Sequence, residues 1–337
     1  MSVLVTGGAG YIGSHMVLAL LDAGEEVVVV DNLSTGFDWA LPPEARLIVG
    51  DMGDQDLVYR VIREHRVDAI AHFAAKIVVP ESVADPLGYY FNNTVKSRAL
   101  IEAAVKGGVE RFIFSSTAAV YGDVDTKPVG EDKPLNPVSP YGRSKLMTEW
   151  MLADAGKAHG LRHVVLRYFN VAGADPKGRS GQSSANATHL IKVAAQTALG
   201  DRPHIEVFGT DYPTPDGSCI RDFIHVSDLA QAHRAALAYL RGGGASVTLN
   251  CGYGRGYSVL ETIEAVRRIS GRNFAVQHGP RRPGDIMAMI ADTSRLRTAL
   301  DWTPQYQELE TIVAHALAWE QKLVRERQSE LQHATSA

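Results

Sequence analysis

Val3-Leu4-Val5-Thr6-Gly7-Gly8-Ala9-Gly10-Tyr11-Ile12-Gly13 reads as a strand, a glycine turn and the opening of a helix. Val3–Val5 is apolar on both faces, as a strand covered from both sides must be. Gly7, Gly10 and Gly13 recur at three-residue spacing. Glycine there permits a tight turn, close approach of backbone to a pyrophosphate, and close packing of helix on strand. The helix that follows, Gly10–Leu21, turns its free N–H groups and positive dipole end toward the phosphates. Without the strand before it and the helix after it, the same run would be only a glycine-rich turn.

Working outward, strand-length apolar runs at Val27–Val30, Leu47–Val49, Ala69–Phe73, Phe112–Phe114 and Val164–Leu166 alternate with helical patterns at Gln55–Glu64, Tyr90–Lys106 and Tyr141–His159. Repeated βα units predict an α/β fold whose core is a doubly wound, parallel, Rossmann-type sheet over residues 1–170. Segments around 222–255 are expected to return to this domain. Residues 171–327 are expected to form mainly a smaller, discontinuous C-terminal α/β substrate lobe. There the pattern gives helices at Leu190–Leu199, Tyr257–Ser270 and Leu309–Arg325, a strand at Ala275–His278, and a turn-rich loop from Gly209 to Gly217. Residues 328–337 read as a disordered tail.

Asp31 ends the second strand, where a carboxylate can accept hydrogen bonds from adenosine ribose hydroxyls. The following Asn32-Leu33-Ser34-Thr35 holds no arginine for a 2′-phosphate, so NAD is expected rather than NADP. Asp51-Met52 follows the third strand. Asp51 can be read beside the adenine amino group or as the N-cap of a helix at Gly53–Asp54.

The 337 residues are 45% hydrophobic and 21% charged with a formal net charge of −4, an ordinary globular composition. There is no Lys/Arg run of the kind a nucleic-acid face requires. Cys219 and Cys251 belong to no CxxC or Cys/His cluster, so neither a disulfide framework nor a metal site is expected, and a reducing compartment fits best. The N-terminus enters a strand pattern with no basic or apolar leader, and no run is long enough to span a membrane. A cytoplasmic protein is expected.

Tyr141-Gly142-Arg143-Ser144-Lys145 places a phenol and an ammonium four residues apart, on one face of a helix opened by Ser139-Pro140. Bringing a tyrosine from its usual value near 10 toward 7 requires ~4 kcal/mol of differential stabilisation, which two nearby cations could supply. Such a pair is also common on solvated helix faces. Ser115-Ser116-Thr117 at the end of the fifth strand adds hydroxyls where doubly wound sheets present their chemistry.

Together with the glycine loop, these residues are similar to the extended short-chain dehydrogenase/reductase family, and within it to the sugar-nucleotide 4-epimerase branch. The resemblance runs over nearly the whole chain. It is carried by Val3–His15, Asp31-Asn32-Leu33, His72-Phe73-Ala74-Ala75, Glu81-Ser82-Val83, Tyr141–Lys145, Arg167-Tyr168-Phe169-Asn170, Phe208–Thr214, Arg221–Val226 and Arg281-Arg282-Pro283-Gly284-Asp285. It implies reversible, NAD-dependent inversion at C4 of a UDP-sugar, UDP-glucose and UDP-galactose foremost, by a homodimer joined through Tyr90–Lys106 and Tyr141–His159. Tyr141 would act as catalytic base, Thr117 would hydrogen-bond the sugar 4-oxygen, and Lys145 would hold the nicotinamide ribose and lower the Tyr141 pKa.

By the same resemblance the cofactor set is Gly7, Gly10, Tyr11, Ile12, Gly13, Asp31, Asn32, Asp51, Met52, Phe73, Ala74, Asn92, Ser115, Tyr141, Lys145 and Tyr168. The substrate set is Thr117, Tyr141, Phe169, Asn170, His189, Leu190, Phe208, Arg221, Arg282, Asp285 and Met289. Arg221 and Arg282 would grip the diphosphate, where guanidinium geometry suits phosphate oxygens, with Asn170 near it. Asp285 would contact the uridine ribose.

The chain departs from the pattern at Ile77, in register with a lysine of many members, and at Met289, where some members carry a tyrosine that limits sugar size. Met289 admits an N-acetylated sugar or packs in the core. Epimerases of UDP-xylose/UDP-arabinose or of UDP-N-acetylhexosamines share the same chemistry and remain alternatives, as does a non-catalytic NAD sensor. The related 4,6-dehydratases follow the threonine with Asp-Glu, whereas Thr117 precedes Ala118-Ala119. That argues against dehydration.

Overall fold

The computed structural model describes residues 1–335 except 126, 185, 186, 283 and 284. Its first half runs β1 (Ser2–Thr6), α1 (Tyr11–Asp22), β2 (Glu26–Asp31), β3 (Arg46–Val49), α2 (Gln55–Glu64), β4 (Val67–His72), α3 (Val79–Ala84), α4 (Pro86–Tyr89), a π-helical turn (Tyr90–Val95), α5 (Lys96–Gly107), β5 (Arg111–Thr117), α6 (Pro140–His159) and β6 (Arg162–Tyr168). The second half runs β7 (Asn170–Ala172), α7 (Leu190–Leu199), β8 (His204–Phe208), β9 (Ile220–His225), α8 (Val226–Arg241), β10 (Val247–Cys251), β11 (Gly256–Ser258), α9 (Val259–Ser270), β12 (Ala275–Gly279), β13 (Ala288–Met289), α10 (Ser294–Ala299) and α11 (Leu309–Thr335).

Seven parallel strands form the main sheet in the order β10-β6-β5-β4-β1-β2-β3. The alternating direction of side chains along each strand divides the core in two. Val3, Val5, Val27 and Val29 face α1 and α8, while Leu4, Val28 and Val30 face α2, α5 and α6. Each fully buried aliphatic side chain contributes ~1.5–3 kcal/mol. The strand order reverses between β1 and β4, and the crevice above that point is where such sheets bind ligands. The substrate-side strands β7, β9, β11 and β13 make a second sheet, and β8 pairs with β12 in a third.

Every strand and helix expected in the first half is present. The expected helix Tyr90–Lys106 is split by a π-helical turn around buried Asn93, whose side chain bonds the Lys76 backbone and Ser144 and whose carbonyl accepts from the Ser97 and Thr148 hydroxyls. The segment that returns to the large sheet is narrower than 222–255. It comprises α8, packed on α1, and β10, paired with β6, while Asp222–His225 stay in the small sheet. Helix α9 starts at Val259 rather than Tyr257, because Ser258 and Glu261 form a capping box and Tyr257 pairs with Arg221. The last helix continues through Gln328 to Thr335, past the point read as a tail, and residues 336–337 lie outside the described part. Among the described residues no helix is long and apolar enough to cross a membrane.

Candidate active site

The glycine loop follows β1 as expected. Gly7 has φ +72°, and a Cβ there would lie 2.5 Å from the Ala74 nitrogen, so the loop fits against the end of β4 only because the position is glycine. A Cβ on Gly13 would lie 2.0 Å from the Gly7 carbonyl oxygen. Helix α1 begins at Tyr11 with no side-chain cap on Gly10 and no acidic residue in its first turn. The N–H groups around Tyr11, Ile12 and Gly13 are therefore left for an anion. Asp31 is held beside the loop by accepting from Ala9 N at 2.9 Å and Leu33 N at 2.8 Å. A cradle shaped by missing side chains, an open helix end and an adjacent fixed carboxylate fit a dinucleotide.

Asp51 does not cap α2. Asp54 does, accepting from Leu57 N at 3.0 Å. Asp51 instead accepts from Gly53 N and pairs with Lys96 at 2.5 Å. Burial opposes its charge, but Lys96, Gly53 N and the Asn32 side chain together hold its carboxyl below the usual range. Asp51, Asn32 and buried Met52 thus gather at the ends of β2 and β3. Phe73 and Ala74 donate their N–H groups to Thr6 O at 2.9 and 3.1 Å. Asn92 bonds Asn93 at 3.0 Å.

The catalytic candidates meet where β5 faces the start of α6. Ser139 caps α6 by accepting from Gly142 N at 3.1 Å, and Pro140 occupies its first turn. Tyr141 and Lys145 are buried on one face of this helix, with Lys145 only 3% exposed. Lys145 Nζ donates to Ser115 O at 2.9 Å and lies 4.9 Å from the centre of the Phe114 ring. Burial pushes the Lys145 ammonium down to about 7, opposed by the Glu149 charge. Thr117 Oγ1 accepts from Ala119 N at 3.1 Å, which leaves its own proton free to donate.

Tyr141 corrects one expectation. Its pKa lies above the ordinary value of 10, because burial outweighs a hydrogen bond from Thr117, the one group lowering it. The chain by itself keeps Tyr141 a phenol.

Sequence reasoning missed the residues that fix these groups. His233 on α8 offers Nδ1 to Leu229 O at 2.8 Å, and a carbonyl only accepts, so Nδ1 carries the hydrogen. Its Nε2 therefore accepts from the Ser115 hydroxyl at 2.8 Å. The same ring lies 4.8 Å from Phe73 and 6.3 Å from Tyr168. Buried Asn93 and the Glu149–Arg167 pair were also not read as site residues, although Glu149 continues the four-residue spacing of Tyr141 and Lys145.

The substrate set is brought together in part. Phe169 and Met289 share one buried apolar cluster with Ala118 and Leu146, beside Thr117 and Tyr141. Met289 pairs in register with Arg221, whose Nη1 donates to Ile220 O at 2.9 Å. Asn170 opens β7. Arg282 grips Asp285 with bonds of 3.0 and 3.1 Å, its guanidinium 4.5 Å from the centre of the Phe208 ring. Pro283 and Gly284 of that motif lie outside the described residues. His189 caps α7 without a side-chain bond and Leu190 begins it; neither bonds the Thr117–Tyr141–Lys145 group. Ile77 is exposed, while Lys76 turns to Glu81 at 3.5 Å and Asp85 at 3.8 Å.

A dinucleotide cradle with a hydroxyl, a phenol and a buried ammonium at the sheet's C-terminal edge defines a nicotinamide-dependent enzyme of the Rossmann class. The chain belongs to the NAD dependent epimerase/dehydratase family, whose model matches residues 3–252. It is 56% identical over 321 residues to a UDP-glucose 4-epimerase of Azospirillum brasilense, covering 95% of this chain and 92% of that one. The crystal structure of UDP-glucose 4-epimerase from Brucella ovis in complex with NAD matches with a TM-score of 0.91 at 43% identity, covering 94% and 97% of the two chains. The UDP-Glc/GlcNAc 4-epimerase of Campylobacter jejuni matches with a TM-score of 0.83 at 48% identity, covering 95% and 99%.

Proposed function

We propose that this chain catalyses the reversible, NAD-dependent 4-epimerisation of a UDP-sugar, UDP-glucose and UDP-galactose foremost, through a 4-keto sugar. The observation that carries this reading is the convergence of Thr117, Tyr141 and Lys145 beside the glycine cradle. The glycine loop, Asp31 and Lys145 would hold NAD, which would supply the hydride acceptor and donor and a second positive charge near Tyr141 besides Lys145. Tyr141 takes the proton of the sugar 4-hydroxyl and later returns it. Thr117 gives its one hydroxyl proton to the phenolate or, after the proton has moved, to the 4-oxygen, favouring charge on whichever oxygen carries it. Phe169, Met289 and Leu146 give the sugar an apolar wall, and Arg221 and Arg282 take the diphosphate.

Residues 1–170 with α8 and β10 serve the cofactor, and the rest of 171–327 serves the substrate. A second reading, action on an N-acetylated UDP-sugar, is favoured by Met289, whose flexible side chain lines that wall. The partner is a second copy of the chain. Leu87, Phe91 and Val95 are exposed on successive helical turns (78%, 58% and 50%), with Trp150 exposed on neighbouring α6. Buried, unpaired Cys219 and Cys251 suit the cytoplasm. The test is to mix purified protein with UDP-galactose, UDP-N-acetylgalactosamine and UDP-arabinose, without added NAD, and follow the anomeric protons by NMR. Interconversion of UDP-galactose and UDP-glucose is expected. No conversion of any of the three, even with NAD added, overturns the reading.

A further inference from the structure

Beneath the catalytic group lies a buried ion pair. Glu149 follows Lys145 by one turn of α6, so Tyr141, Lys145 and Glu149 project from one face of the helix. Arg167 of β6 holds both Glu149 oxygens, with Nε at 3.1 and 3.2 Å and Nη2 at 2.6 Å, and the two side chains are 6% and 7% exposed. Ser116 Oγ donates to the same carboxylate at 2.5 Å. Arg167 Nη1 reaches Tyr121 Oη at 3.1 Å, and Tyr121 donates to Asn250 Oδ1 at 2.6 Å. Ser116 stands between Ser115, whose carbonyl holds Lys145, and Thr117. One carboxylate therefore ties α6, β5 and β6 together at the level of the chemistry.

A buried pair of this kind is a poor source of stability, since desolvation offsets its attraction and apolar residues of similar volume serve as well. Its best-attested use is to fix register. Resting on the function proposed above, we propose that Glu149 is a positioning residue for the reaction: clamped by Arg167 and Ser116, it holds the Tyr141–Lys145 face of α6 against the Ser115–Thr117 end of β5 and sets a carboxylate charge toward the buried ammonium. The other titratable groups facing this pair or Lys145 are Tyr141 on α6, His72 on β4, His163 on β6, and Tyr121 from the connection after β5, which is itself faced by Glu131. Among the charged groups acting on Lys145, Glu149 is the one that favours its protonated form.

The test compares wild type, Glu149→Gln and the double variant Glu149→Gln/Arg167→Met, with retained NAD and the thermal midpoint measured for each. In Glu149→Gln, kcat with UDP-galactose falls about tenfold, less than the 10²–10⁴ lost with a general acid–base group, while KM stays within about twofold. The alkaline limb of its kcat profile moves to lower pH, because Lys145 loses the charge that favours its proton. The double variant, which strands no buried charge, recovers the thermal midpoint but keeps the low kcat and the moved limb. Wild-type kcat and pH profile in a folded double variant overturn the proposal, and so does failure of both variants to fold, which makes the pair purely structural. An inactive wild type overturns instead the function on which the proposal rests.

Discussion

Burial raises Tyr141 above its ordinary 10 and lowers Lys145 from 10.5 to about 7, so two groups whose ordinary values nearly coincide are driven apart in proton affinity. In the chain alone the phenol keeps its proton at neutral pH, while the ammonium is poised to give its proton up there. Tyr141→Phe keeps the ring and its packing but removes the proton carrier. Turnover is expected to fall by ~10²–10⁴, with NAD still retained. Full turnover by Tyr141→Phe would exclude Tyr141 as the base. At this scale the sequence showed Thr117, Tyr141 and Lys145, because two of them share a helix face and the third ends a strand. It did not show His233, because its bond to Ser115 joins residues 118 positions apart, and only the packed fold brings them together. Nor did it show that burial outweighs the Thr117 hydrogen bond at Tyr141.

Helix α6 carries the reacting face, and its start is set by Ser139, two residues before Tyr141. Ser139→Ala removes the acceptor for Gly142 N and is expected to cost ~1 kcal/mol. That lowers the thermal midpoint by about 1–2 °C in a chain of this size and lowers kcat along with it, whereas Ser139→Asp keeps both. An unchanged midpoint and kcat in Ser139→Ala would show that packing alone sets the helix start. Elements were readable wherever period and punctuation agreed: Gln55–Glu64 and Leu190–Leu199 fall at the bounds expected. The π-helical turn was not readable, because it depends on Asn93 reaching Lys76 and Ser144. β11 was hidden because Tyr257 gains a strand partner that no local signal announces.

Across the whole molecule, four buried histidines act together. Burial lowers His15 and His233 to about 4 and His72 and His225 to about 3, from an ordinary 6.5. Below 6.5 the unfolded chain therefore binds protons that the folded chain refuses. Stability is full above 6.5 and declines as pH falls toward 4. The thermal midpoint is expected to drop steadily from pH 6.5 to 4, and a flat profile over that range would contradict neutral burial of these rings. The exposed stripe of Leu87, Phe91, Val95 and Trp150 predicts a dimer by sedimentation, converted to monomer by Phe91→Asp. A monomeric wild type would refute this interface. The large sheet was readable from its alternating units and a return of later residues around 222–255 was expected, but the pairing of β10 beside β6, to the exclusion of Asp222–His225, followed from long-range contacts.

In the proposed reaction C4 of the sugar is oxidised by loss of a hydride and reduced by return of the same hydride. This is tested most directly by supplying UDP-galactose deuterated at C4 to the purified protein in ordinary water and examining the product by NMR and mass spectrometry. The expected product is UDP-glucose that keeps its deuterium at C4. Product carrying solvent hydrogen at C4 would contradict it, because inversion would then proceed by exchange of a carbon-bound proton with water.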